Sequence, residues 1–320
     1  MGLLPPGFSS SGDVALDRRY RWARASLEAG EAAEACDILR QTAAEAPHWA
    51  PAWKLLADAL LDAGKTEEAR LAYEEAVRLD PQGALGARLD LARLGALDPT
   101  DAMQQGYVAA LFDDYADRFD AHLTGALCYR GPQAILSALR EVLGASGRPL
   151  RFERALDLGC GTGLMGEAIR PFVGSLHGVD LSRGMIAKAR AKLVYDRLAG
   201  GELGEFVRGA PHGSFDLILA ADVLVYVADL RHLLGAVARA LRPNGLFAFT
   251  LQRTDSEAVP GGLALGKDNR FAHSADHVRA AAFSSSLGIE HLVPAVIRQE
   301  AGHDVPGLVA VLLGGNGRSY

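Results

Sequence analysis

Two kinds of apolar spacing run along the chain, and the change from one to the other divides it. From Leu16 to Leu97 apolar residues recur three and four positions apart, as in helices that bury one face. Beyond Phe152, short continuous apolar runs take over: ALDL before Gly159, Phe215 to Ala221, Leu246 to Leu251, then HLVPAVI and GLVAVLL. Such runs, bounded by glycine, proline and polar residues, read as buried strands. Helix-spaced segments separate them, from Ser182 to about Leu193 and from about Leu230 to Leu241. Strands alternating with helices predict an α/β fold with a mostly parallel sheet. The last two runs, separated by a short polar stretch from Gln299 to Pro306, read as an antiparallel pair.

The helical part repeats. Residues 16–81 have a period of 34: Gly30 recurs as Gly64, Ala35 as Ala69, Leu39 as Tyr73 and Pro47 as Pro81. The second copy (Trp53, Leu56, Ala57, Leu60, Gly64, Ala69, Tyr73, Ala76, Pro81) resembles the tetratricopeptide repeat (TPR), a helix–turn–helix unit of that length. Small Ala57 and Ala69 let two helices approach, Gly64 closes the first and Pro81 stops the second. In the first copy Trp22 stands where the second has Leu56, and Ala84 to Leu97 supplies one more helix as a cap. Two copies fall short of the roughly three that repeats need to stand alone. Docking of a protein partner and homodimerisation stand level as the role of this module.

After Asp98-Pro99, Tyr107, Leu111, Tyr115 and His122 recur at helical spacing, with Val108, Phe112 and Phe119 beside them. One reading is amphipathic packing, with Asp113, Asp114, Asp117 and Asp120 on a solvated face. The other is a lid whose Tyr107, Tyr115 and Tyr129 point into a site. Pro132 opens the next helix, with Ile135, Leu136, Leu139, Val142 and Leu143 as core.

The chemistry centres on Phe152 to Asp180: a strand, a glycine turn (Gly159, Gly161, Gly163), a helix, and a second strand ending in an acid. A unit of this kind holds a nucleoside, because glycines let the backbone approach it and a carboxylate takes both ribose hydroxyls. Gly161-x-Gly163-x-x-Gly166 fits the dinucleotide fingerprint, so at this point NAD and S-adenosylmethionine (SAM) both remain open.

Five pieces stand in order along the chain: LDLGCGTG, GVDLSRGMIAKAR, FDLILAADVL, LRPNGLF and the terminal hairpin. Over about residues 150 to 314 the chain resembles class I SAM-dependent methyltransferases, and with the repeats and FDDYADRFDAHL it resembles the bacterial TPR-containing methyltransferases. The resemblance implies a seven-stranded, mostly parallel Rossmann-like sheet with a terminal antiparallel hairpin, plus a small all-α TPR domain. The expected division is a disordered terminus at 1–12, repeats at 13–98, connecting or lid helices at 99–150 and the methyltransferase domain at 151–320. It implies SAM as cofactor and S-adenosylhomocysteine as product. Asp157 and the Gly159, Cys160, Gly161, Gly163 backbone would hold the methionine part, and Asp180 the ribose. Leu181 and Met185 would sandwich the adenine, and Glu202, followed by Leu203, would take its amino group. Ala221 and Asp222 would face the cleft of methyl transfer, together with Tyr115 from the lid.

Candidate proton acceptors are His122 in the lid, His273 in RFAHSADHV, and Asp222; Tyr226 and Arg270 are candidates for acceptor contact. The Asn/Asp-Pro-Pro-Tyr/Phe motif of amino-directed nucleic-acid methyltransferases is absent, and AADVL stands in its place. The expected acceptor is a small molecule or a protein side chain. A non-catalytic scaffold that keeps the fold for binding is the alternative.

Composition narrows this only at the margins. Three cysteines (Cys36, Cys128, Cys160) are too scattered for a disulfide framework or a zinc site, and no metal site is expected. Cys160 reads as a small filler of the glycine turn. The net charge of −6 is concentrated between Asp13 and Asp98, with 16 acids against 11 basic residues, so nucleic acid is not an expected partner. The opening MGLLPPGFSSSG lacks a signal-peptide pattern and no 18-residue apolar run exists, so the expected location is cytoplasmic, with no membrane association.

Overall fold

The computed structural model describes residues 8, 10–255, 259–300 and 302–315, so the expected disordered segment 1–12 lies largely outside the described residues. The chain divides into two compact units, Met1–Asp114 and Tyr115–Tyr320.

In the first unit, α1 (Val14–Glu28), α2 (Ala32–Glu45), α3 (Ala50–Asp62) and α4 (Thr66–Leu79) form two helical hairpins, and α5 (Ala87–Arg93) caps the second. α6 (Gln105–Tyr115) runs to the boundary. Gly64 sits at φ +75°, and the N–H of Lys65 reaches back to Leu60 O at 2.8 Å, so α3 ends in a left-handed glycine cap. Gly30 does the same for α1 at φ +83°. Ala57 and Ala69 are fully buried between α3 and α4, with Leu39, Leu56 and Tyr73 filling the space around them. Trp22, the departure in the first copy, is largely exposed. A polar cluster ties the cap to this repeat: Lys54 Nζ bonds Asp58 at 2.7 Å and Asp90 at 3.1 Å, and Tyr73 donates to Asp58 at 2.7 Å. Tyr107 packs on Gly86 within this unit, so it is not a lid residue.

In the second unit, α7 (Phe119–Ala121) and a wide turn at His122–Ala126 precede α8 (Gly131–Ala145). Then come β1 (Phe152–Leu158), α9 (Leu164–Ile169), β2 (Val173–Asp180), α10 (Arg183–Ala191), β3 (Arg197–Gly200) and α11 (Leu203–Gly209). These are followed by β4 (Phe215–Ala220), α12 (Leu230–Ala240), β5 (Leu241–Arg253), β6 (Leu263–Leu265), β7 (Phe271–His273) and α13 (Ala275–Ser284). β8 (Gly288–Glu300) and β9 (His303–Leu313) close the chain. The strands form one sheet in which β3-β2-β1-β4-β5 run parallel, β9 joins β5 antiparallel, and β8 pairs outside β9.

Successive strand residues serve opposite layers, as the pleat requires. Leu246, Ala248, Val309 and Val311 pack toward α8 and α9. Their neighbours Phe247, Phe249, Leu308, Ala310 and Leu312 pack toward α11, α12 and α13. The strands are buried on both faces, which is why they read as continuous apolar runs rather than alternating ones.

Three details come only from the structure. Among the described residues the seven expected strands are present and two short ones, β6 and β7, are added, because β5 is 13 residues long and its end, beyond the β4 register, pairs with β7 at Gln252 and Arg253. β3, which begins at Arg197, is a half-exposed edge strand and so carries little apolar signal. β8 and β9 extend through the polar stretch, so the reversal lies between Glu300 and His303. Among the described residues no helix is long and apolar enough to cross a membrane.

Leu193, just past α10, has φ +56° and a largely solvent-exposed side chain. This is the left-handed position that helix ends usually give to glycine. Leu193→Gly should therefore stabilise the protein by about 0.5–1 kcal/mol in urea unfolding, since relief of the backbone strain outweighs glycine's entropy. A lower midpoint at unchanged slope would contradict this.

Candidate active site

The site is built from the carboxyl ends of β1, β2, β3 and β4. β1 runs into a turn in which Gly159, Gly161 and Gly163 all take positive φ (63°, 53° and 96°). At Gly159 the constraint is also spatial: a Cβ there would lie 2.3 Å from Val223 of the loop after β4. Asp180, at the tip of β2, accepts the Gly161 N–H on one oxygen (2.9 Å) and the Ser182 N–H on the other (2.8 Å). The turn and the acid therefore hold each other in place.

Beneath the turn Asp157 is completely buried. Its Oδ2 accepts from Tyr195 at 2.6 Å, and its Oδ1 has no partner among the described residues. Burial pushes its pKa up to about 7, the Tyr195 bond opposes the rise and Asp180 adds to it. Tyr195 also fills the space that side chains at Gly163, Gly166 and Gly178 would need. Cys160 is buried and its thiol pKa is raised, first by burial and then by Asp157 and Asp180, which makes it a filler rather than a nucleophile.

The segment after Tyr115 lies across the turn. Asp120 accepts from Thr162 in the turn itself and pairs with Lys192 of the stretch after α10 at 2.9 Å. Asp117 pairs with Lys188 at 2.8 Å. The expectation that these acids occupy a solvated face is thus corrected for Asp120, whose hydrogen-bond and ion-pair partners lie on the site side. At its far end the segment hydrogen-bonds the edge of β8, Arg130 N to Ile297 O (2.8 Å) and Gln299 N to Leu127 O (2.7 Å). The pKa of Tyr129 rises well above the usual tyrosine value, first through burial and then through Asp222 and Asp157. The pKa of Tyr115 is raised by burial, against the pull of Arg270 and Arg118, and its hydroxyl meets His122 Nδ1.

After β4, Asp222 takes φ +56°, and its N–H donates to Thr250 Oγ1 at 2.9 Å. Its carboxylate pairs with Arg298 of β8 at 2.9 Å, and Arg298 is 1% exposed. Arg298 also reaches Gln252 (2.9 Å) and Glu300 (2.9 Å), and Glu300 receives Arg270 at 2.5 Å. Arg270 in turn donates to the Tyr226 hydroxyl at 3.3 Å. Burial raises the pKa of Asp222, against the pull of Arg298 and Arg270. Burial also acts upward on Glu300, yet Arg298 and Arg270 hold it below its ordinary value.

The expected site residues therefore separate by placement. Asp157, Gly159, Cys160, Gly161, Gly163 and Asp180 converge on one turn. Ala221 and Asp222 stand at the neighbouring strand tip. Leu181 is half-buried beside Asp180, whereas Met185 is wholly enclosed in α10 and offers no open face for stacking. Glu202 and Leu203 follow β3, and the Glu202 carboxylate caps α11 through the N–H groups of Gly204 (2.9 Å) and Glu205 (2.6 Å). His122 is exposed in the turn after α7, while His273 is fully buried with its pKa pushed down to about 3, chiefly by burial. A neutral imidazole sealed from solvent is poorly placed to accept a proton from an acceptor.

Sequence reasoning missed Tyr195 and Arg298. Tyr195 precedes the one strand without an apolar pattern. Arg298 is a single arginine after an apolar run, and its partner Asp222 lies 76 positions away. Arg298→Leu should cost about 3 kcal/mol of stability near neutral pH, because it leaves buried Asp222 without its cation. A carboxyl whose folded pKa is raised is best tolerated at low pH. The deficit should therefore shrink over the acid range as Asp222 takes a proton. Equal losses across this range in denaturant unfolding would show that the ion pair is not the cause.

Residues 156–247 match the methyltransferase domain family, and residues 50–82 match the tetratricopeptide repeat family. Methyltransferase-like protein 27 of Homo sapiens is 32% identical over 148 residues, 45% of this chain and 58% of that protein. Ubiquinone biosynthesis O-methyltransferase of Rhizobium etli is 36% identical over 122 residues, 36% of this chain and 47% of that protein. The chain thus spans about half the length of the curated relatives it matches. A solved S-adenosylmethionine dependent methyltransferase from Mesorhizobium loti aligns with 55% of this chain and 97% of its own, at 22% identity and a TM-score of 0.43. Strand order, glycine turn and family matches agree: the chain carries a methyltransferase domain of class I architecture together with a tetratricopeptide repeat.

Proposed function

We propose that the protein transfers a methyl group from S-adenosylmethionine to a small-molecule or protein acceptor. The observation that carries this reading is the Asp157 carboxylate, fully buried under the glycine turn with Oδ1 unpartnered. A buried acid with one open oxygen suits an ammonium group, and the turn beside it has no room for a Cβ at Gly159. The residues present therefore fit the methionine end of SAM. Asp157 would hold its ammonium, Asp180 its ribose hydroxyls, and Leu181 and Glu202 would flank its adenine. Met185 would support this wall from beneath.

When bound, SAM supplies an electrophilic methyl group on a sulfonium. The protein's part is alignment and exclusion of water. The Asp120 bond to Thr162 and the Lys192 pairs keep the lid across the turn, and Tyr129 would close the side toward Asp222. Asp222, held by Arg298, would shape the acceptor pocket, since an ion-paired carboxylate is a weak base. The exposed His122, joined to Tyr115, would take the acceptor's proton, and His273 would form a neutral wall. The name of the ubiquinone relatives specifies O-methylation, which makes a hydroxyl acceptor the first class to assay. The repeat unit would bring a protein partner or a second copy of the chain.

Calorimetry with SAM, S-adenosylhomocysteine and NAD tests the core of this reading; binding of NAD without SAM would overturn it. Asp180→Ala should weaken SAM binding by about 2–4 kcal/mol through loss of two charge-assisted hydrogen bonds. Unchanged affinity would remove Asp180 from the ribose role.

SAM affinity should also depend on pH. In the free protein Asp157 keeps its proton up to about 7, against 3.8 ordinarily, so this group favours the fold at low pH and loses that contribution as pH rises through 7. Ammonium binding needs the ionised form. Affinity should thus fall about tenfold per pH unit well below 7. Asp157→Asn should bind more weakly and flatten this limb. A wild-type limb that persists in the variant would assign the titration to another group.

A further inference from the structure

We propose that the amino ends of β1 to β3 form a second ligand site, for a phosphate monoester carried on a planar ring. It lies at the opposite end of these strands from the glycine turn, and it does not rest on the methyl-transfer reading.

A cavity of about 510 Å³ opens there between the sheet and α11. Its polar lining includes Arg154 of β1, His177 of β2 and Arg197 of β3, and its apolar lining includes Phe206 and Phe215. The register puts the three basic residues on one face. His177 is level with Arg197 on one side and with Leu156 on the other, and Arg154 is two residues before Leu156. Two arginines therefore flank the imidazole across three strands, roughly 12 Å apart at the backbone once the two-residue offset along β1 is included. That spacing lets two long guanidinium side chains converge on one phosphate.

The neighbouring acids are turned away from this face. Glu153, beside Arg154, pairs with Arg242 at 2.7 Å, and Asp196, beside Arg197, pairs with Arg170 at 2.7 Å. The Asp216 carboxylate is taken by the backbone N–H groups of Glu153 (2.7 Å) and Arg154 (2.8 Å), which also fixes the root of the Arg154 side chain. Among the described residues neither Arg154 nor Arg197 forms an ion pair; Arg154 has a long contact with Ser214 O at 3.4 Å. Glu205 is the one acid in the cavity lining. The result is a basic pocket in a chain of net charge −6.

The ring comes from the apolar wall. Phe215 is buried and meets His177 edge-on at 5.9 Å between centroids, while Phe206 is half-buried and His177 keeps an accessible face. Burial lowers the pKa of His177, and Arg197 and Arg154 lower it further, so the imidazole is a neutral flat surface near pH 7. A flat ring packs on such a surface while its phosphate faces the arginines. The volume is that of ordinary small-molecule sites.

The probes are AMP, inorganic phosphate and adenosine, titrated into the full-length protein by calorimetry and protein-observed NMR. We expect AMP to bind one equivalent with or without saturating S-adenosylhomocysteine, more tightly than phosphate or adenosine. Arg154→Gln and Arg197→Gln should each weaken AMP about tenfold while leaving S-adenosylhomocysteine binding unchanged. Both arginines are exposed, so retained S-adenosylhomocysteine affinity also reports a folded variant. Absence of AMP binding at about 5 mM would overturn the site. So would AMP affinity that survives both substitutions, or that disappears once S-adenosylhomocysteine fills the other cleft. Phosphate binding as tightly as AMP would remove the ring from the proposal.

Discussion

The hydrogen bond from the Gly161 N–H to Asp180 ties the ends of the two central strands into one surface, and most of the site depends on that tie. It requires a backbone that turns left-handed three times in five residues, which side chains other than glycine resist. It also requires β1 and β2 to end level, which the parallel register from Phe152 to Leu158 provides. Gly159 then approaches the loop after β4 so closely that the third strand tip joins the same surface. The acids Asp157, Asp180 and Asp222 are thereby gathered around one turn, each at the end of a different strand.

Around this turn the polar groups form two systems with different tasks. One is local and orienting: Tyr195 on Asp157, Ser182 on Asp180, Thr162 on Asp120. The other is long-range and neutralising: Asp222, Arg298, Glu300 and Arg270 alternate in sign through the end of the sheet. Arg298 is buried and the other three are partly buried, which costs hydration, and the alternation of sign is what makes it tolerable. The terminal hairpin thus closes the sheet and also carries the cation on which the β4 tip relies. The segment 127–130 covers the outer edge of that hairpin, which otherwise exposes unpaired backbone groups.

Much of this was legible in advance. The glycine turn announces itself because few other residues accept its dihedral angles, and an acid one strand later has little reason to be there except to meet it. The strands are visible because burial on both faces makes them uniformly apolar. The repeat is visible because Ala57, Ala69 and Gly64 are small for steric reasons, and steric reasons recur with the period of the fold. β3 leaves no apolar run because an exposed edge strand is under no such demand. The sequence leaves Tyr107 open between packing and a lid because helical spacing indicates a face but not what lies against it.

What the sequence determined by itself is local: which segments are helix or strand, where the backbone must turn left-handed, and that a nucleoside-holding turn stands at the centre. Those properties depend on residues near one another in the chain, so they leave a periodic or compositional trace. The tertiary structure alone decided the pairings. Arg298 answers Asp222, Tyr195 aims Asp157, and Asp120 turns inward to Thr162 rather than out to water. The same holds for Arg154 and Arg197, which meet across β2 only once three strands are laid side by side. A partner dozens of residues away satisfies a charge or a lone pair through space, and nothing in the spacing of the chain records which one it will be.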